Sequence, residues 1–132
     1  MNMIENNKLI AEFMGYEKHP RITDALINKT KKMLVPYWSD RNNEVLLDDL
    51  AYNQSYDWLM PVVERIENTF QVGTGDLCKV YISSNNNPKD KFYYCNIFGS
   101  EDAQFNGESK QSKIESVYRA VVEFIKWYNL NK

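Results

Sequence analysis

Histidine occurs once in this chain of 132 residues, cysteine twice and glycine five times, so the groups from which most catalytic and metal sites are built are scarce. A Ser-His-Asp triad or a Cys-His pair would have to form around His19, which stands in "YEKHPRI" beside a proline with no carboxylate motif to orient it. Its expected place is a surface loop. A zinc site drawn from Cys78, Cys95 and His19 lacks a fourth ligand and any short Cys-x-x-Cys spacing. Two cysteines also fall short of a disulfide framework, and both are expected as reduced, buried strand thiols. No apolar run approaches the roughly 18 residues of a membrane span, and "MNMIENNKLIAEFMG" has neither the basic opening nor the cleavage site of a signal peptide. A mean hydropathy of −0.58 points the same way, and the cytoplasm is the expected location. Excess positive charge is missing too: 16 Lys and Arg stand against 18 Asp and Glu, which gives no global electrostatic reason to bind nucleic acid.

Aromatic residues, by contrast, are plentiful at 14%, and chains that stay disordered are poor in them. The length suits one domain spanning 1–132. Asn6 and Asn7 can cap a helix over about 6–14, which Gly15 would end, with Ile4, Leu9, Ile10, Phe13 and Met14 on its apolar side. From 16 to 54 the pattern weakens, and Pro36 favours extension just before it. Ser55 opens a second amphipathic stretch in which Leu59, Val62, Val63, Ile66 and Phe70 recur at spacings of three and four. Pro61 would delete the bond its N–H would make to the carbonyl of Asp57, yet the stripe begins at or before Leu59, so one helix over 56–69 is expected.

"LCKVYIS" and "FYYCNIF" alternate as strands and flank the turn cluster "SNNNPKDK", which predicts an antiparallel hairpin over about 77–98. Cys78, Val80 and Ile82 share a face with Tyr93, Cys95 and Ile97. The other face holds Leu77, Lys79, Tyr81, Phe92, Tyr94 and Phe98, too apolar to be left wholly in water. A hairpin alone is marginal, so a third strand is expected, from "FQV" at 70–72 or from the 30s to 50s. Ser112 and Glu115 form a capping box before a broad apolar face, Ile114, Val117, Tyr118, Val121, Val122, Phe124, Ile125 and Tyr128, on a last helix over about 112–129. The fold class is therefore α+β: a small antiparallel sheet sandwiched or covered by helices.

Three blocks, "NKLIAEFMG", "SYDWLMPVVERIE" and "SKIESVYRAVVEFIKWYN", resemble small proteins of unassigned function from Bacteroidetes genomes, phages and mobile elements. A tryptophan before a Val-Val-Glu helix, then a hairpin, then an alanine-bearing final helix is more distantly similar to the phage ABA sandwich domain. The resemblance covers about a third of the chain and excludes 16–50. It implies a sheet between helices and a continuous helix through Pro61. It carries no catalytic, cofactor or metal residues.

The remaining constellations are weak. Glu44, Asp48, Asp49 and Asp57 cluster without the spacing or glycine of a calcium loop, and "GTGDL" at 73–77 follows a helix and precedes a strand, the reverse of a phosphate-binding loop. Lys29, Lys31, Lys32 and Arg41, interleaved with Tyr37 and Trp38, form a basic aromatic patch within 16–41 that could contact phosphates and stack bases. The leading expectation is a non-enzymatic accessory protein of a phage or mobile element, free of cofactors, that binds a protein partner or itself. The alternative is a nucleotide- or nucleic-acid-binding module using that patch.

Overall fold

The first helix stops at the glycine. In the computed structural model, which describes residues 3–28, 44–85 and 87–131, α1 spans Met3–Met14 and Gly15 follows with φ of 114°, its N–H donating to the Glu12 carbonyl at 3.1 Å. Such a backbone conformation disfavours side chains with a Cβ. The start differs from expectation: Asn6 and Asn7 are the fourth and fifth residues of the helix, buried, rather than at the cap, and Ile4 is exposed. Asn7 instead ties the helix to a distant segment, its Nδ2 donating to the Leu50 carbonyl at 3.2 Å and to Asn53 Oδ1 at 3.0 Å.

The chain divides into two compact units, Met1–Pro61 and Val62–Lys132, and the division falls within α2, Tyr56–Glu67. In the first unit, the described parts of the weakly patterned stretch form a three-stranded antiparallel sheet of β1 (Tyr16–Lys18), β2 (Ala25–Asn28) and β3 (Glu44–Leu46), with β2 in the middle. A 3-10 turn over Leu47–Asp49 follows. Ile10, Ala11, Leu26, Val45, Leu50 and Tyr52 are buried, and Tyr52 meets Trp58 edge to face at 5.1 Å. Burying one such large aliphatic side chain contributes about 1.5–3 kcal/mol.

Helix α2 runs through Pro61 as one element, with Leu59, Val62, Val63 and Ile66 on its buried stripe. The carbonyls of Glu64 and Arg65 at its C-terminus, which share the Asn68 N–H, also accept from Asn68 Nδ2 and Thr69 Oγ1, both at 2.8 Å.

The second unit holds the predicted hairpin: β4 (Lys79–Ser84) pairs antiparallel with β5 (Tyr93–Phe98), Ile82 opposite Cys95 and Lys79 opposite Phe98. Asn85 closes its loop, donating to the Asp90 carbonyl at 2.6 Å and accepting from the Phe92 N–H at 2.9 Å. The third strand is neither of the two candidates. It is β6 (Gln104–Ser109), antiparallel to β5, while 70–72 makes only isolated bridges, Phe70 to Leu77 and Val72 to Ser100. α3 (Lys113–Asn131) lies chiefly over β6 and β5. Its entry holds one of the two bonds of the expected capping box, Ser112 Oγ accepting the Glu115 N–H at 3.2 Å, while Ser109 stands between the other two partners. Ser109 Oγ accepts the Ser112 N–H at 3.2 Å and donates to Glu115 Oε2 at 3.0 Å.

Candidate functional site

One face of the β4–β5–β6 sheet is covered by α3, and on that side Cys78, Cys95, Ile97 and Gly107 are buried. Among the described residues the other face, expected to need cover, is the open one, with Lys79, Tyr81, Gln104, Asn106 and Glu108 exposed. Register places Tyr81 across from Asn96 and Lys79 across from Phe98, and the rings of Tyr81 and Phe98 meet edge to face at 5.7 Å. Tyr81 is still 52% exposed.

A tight loop walls this face at one end. Gly73 and Gly75 take φ of 84° and 79°, which lets the chain reverse between Phe70 and Leu77. Inside the loop, Gln71 N–H donates to the Asp76 carbonyl at 2.7 Å. Thr74 Oγ1 donates to Gln71 Oε1 at 2.9 Å and accepts the Asp76 N–H at 3.1 Å. The loop is pinned to the end of β5 by the Val72 N–H on the Gly99 carbonyl at 3.0 Å. Between loop and sheet lies a groove of about 660 Å³, lined by Gln71, Thr74, Asp76, Lys79, Tyr81, Phe98, Ser100 and Glu101 among others. That volume is of the size that takes a few side chains or a small molecule. "GTGDL" is thus a helix-to-strand turn that shapes the groove.

His19 differs from its expected surface position: it is 8% exposed. Its Nδ1 accepts the N–H groups of Arg21 and Ile22, both at 3.0 Å, and a nitrogen receiving two backbone donors carries no proton. The proton therefore sits on Nε2, which donates to Glu44 Oε1 at 2.9 Å. The ring holds the β1–β2 turn and reaches the start of β3. Replacing His19 with alanine leaves two backbone donors and one carboxylate without this partner and should destabilise by about 1–2 kcal/mol. Urea denaturation of the single variant checks this, and an unshifted midpoint would show the three bonds to be unimportant.

Cys78 and Cys95 are free, 3% and 0% exposed, as expected. Burial pushes both thiols up, Cys95 to about 12. Because folding holds the protons on, these thiols should oppose folding increasingly as pH rises above the ordinary thiol range near 9. Thiol labelling of the native protein at pH 8 should be slow at both positions and become rapid in denaturant. Rapid native labelling of both would place them at the surface.

Asp48, Asp49 and Asp57 are exposed, and Glu44 is engaged by His19. Among the described residues, no group of three or more His, Cys, Asp and Glu could hold a metal ion. Nor is any helix there long and apolar enough to cross a membrane. The basic aromatic patch of Lys29, Lys31, Lys32, Tyr37, Trp38 and Arg41 lies outside the described residues. Compared with protein-family models, curated proteins and solved structures, the chain matches none.

The groove draws on residues from three separate stretches, which no local motif could assemble. The second hairpin face, Leu77, Lys79, Tyr81, Phe92, Tyr94 and Phe98, drew notice in the sequence only as one that would need cover, and instead Leu77, Lys79 and Tyr81 are exposed there.

Proposed function

We propose that the protein acts without catalysing a reaction, by binding a protein partner or its own copies through the open face of the β4–β5–β6 sheet. The observation that carries this is the gathering of exposed large apolar side chains within 70–81: Phe70 at 67%, Val72 at 40%, Leu77 at 41% and Tyr81 at 52%. Apolar patches rimmed by polar groups on a folded domain mark interaction sites, and aromatic side chains are enriched there. The sheet order supports the same view. β4 is an outer strand with Lys79 as its only charge, and such edges pair readily with another chain. An accessory role in a phage or mobile element rests on the resemblance of the three sequence blocks alone.

Sedimentation velocity across a concentration series, with affinity purification from the native host in parallel, tests the proposal on wild type and a Phe70→Ser/Tyr81→Ser variant. Loss of self-association or of a stoichiometric partner in the variant supports it. An unchanged mass distribution and an unchanged set of co-purified proteins would overturn it. Salt-sensitive nucleotide or oligonucleotide binding that disappears when Lys29, Lys31 and Lys32 are neutralised would move the site to the basic patch.

A further inference from the structure

The charged groups of the groove are uncommitted. Among the described residues, the side chains of Asp76, Lys79 and Glu101 make no ion pair or hydrogen bond, and all three are exposed at the groove's rim. Two carboxylates against one ammonium leave the groove with a net negative charge, beside a half-exposed tyrosine ring. A cation above an aromatic face, with carboxylates in reach, gains both cation–π attraction and charge-assisted hydrogen bonds. Of the two long basic side chains, arginine suits this arrangement better, because its planar guanidinium stacks on a ring and presents a fork of donors to a carboxylate.

Phe70, Val72 and Leu77 extend apolar surface beside the groove. A free guanidinium compound would leave that area uncovered, whereas a chain segment would cover it. Lys79 and the Ser100 hydroxyl, at the same groove, can donate to backbone carbonyls of such a segment. We propose that the groove takes an arginine side chain carried on an extended apolar segment of a protein partner. This rests on the binding role proposed above and names the chemistry of the partner for the same face.

The test titrates the full-length, isotope-labelled chain with the peptide acetyl-Leu-Arg-Phe-Leu-amide and with its citrulline counterpart, which keeps the shape but loses the charge. The arginine peptide should shift amide resonances within 71–81 and 98–101 and bind about tenfold more tightly than the citrulline peptide, because the neutral counterpart loses the cation–π contact and the ion pair together. An Asp76→Asn/Glu101→Gln variant, changed only at uncommitted surface side chains, should bind both peptides alike. Equal affinity of the two peptides for wild type, at these same amides, would sink the arginine assignment and leave the binding face standing. Shifts confined to other parts of the chain, or a variant that keeps the arginine preference, would also overturn it. If neither peptide shifts any amide and the Phe70→Ser/Tyr81→Ser variant matches wild type in mass and co-purification, both proposals fail.

Discussion

A Gly107→Ala substitution should destabilise the protein by about 3 kcal/mol or more, at the upper end of what overpacking a core costs. Gly107 sits in the middle of β6, buried, opposite Cys95. A Cβ built there would overlap the carbonyl oxygen of Ser116 and come within 2.7 Å of the Ala120 amide nitrogen. Both are backbone atoms of α3, so no side-chain rotation relieves the clash. The helix would have to withdraw from the sheet, and Val117, Ala120, Val121 and Phe124, all fully buried, would lose close packing together. Gly75→Ala is the matched control. Gly75 has φ of 79° with open space around an added Cβ, so it should lose only about 1 kcal/mol of backbone preference. Thermal and urea unfolding of both variants separate the two roles of glycine. A Gly107→Ala melting temperature within about 2 °C of wild type would mean that α3 does not rest on β6 as described.

Phe124→Ala should cost about 3–5 kcal/mol, a large share of the roughly 5–15 kcal/mol that holds a domain folded. Phe124 is fully buried. Its ring stands edge to face with Phe105 of β6 at 6.0 Å, and Trp127 and Tyr128 of its own helix lie 6.0 and 5.8 Å away. Truncation removes both the buried area and the partner of three rings, and rigid aromatic neighbours close a void poorly. Phe124→Leu, which keeps much of the volume, should lose far less. Urea midpoints of the two variants check this ordering. Equal midpoints for alanine and leucine would indicate that the site collapses or that the ring is not central to the core.

Local periodicity carried much of the fold. The stripe of α2 and the apolar face of α3 are visible because one residue in three or four must turn inward along a helix, and the hairpin because alternate residues must along a strand. Ser112 and Glu115 announced the start of α3 for an equally local reason. β6 escaped notice because its inward positions are Phe105, Gly107 and Ser109. Only one of these is a large hydrophobe, and the glycine is there because the helix backbone comes too close for a side chain. β1, β2 and β3 have three or four residues each, too few for alternation to register. Asn6 and Asn7 read as caps because amides favour helix starts, yet Asn7 is held inside the unit by Leu50 and Asn53, more than forty positions along the chain. His19 read as a loop residue because its acceptor role depends on backbone donors at 21 and 22 and its donor role on Glu44.

By itself, then, the sequence determined the α+β class, the helices, the hairpin and the shielding of the two thiols, since each follows from spacing within a dozen residues or so. Tertiary structure alone decided that α3 meets β6 backbone to backbone, that His19 is buried with its proton on Nε2, and that Asp76, Lys79, Tyr81, Phe98 and Glu101 surround one groove. Those arrangements depend on which strands become neighbours, and strand order is settled by packing across the whole unit rather than by the pattern within any one segment.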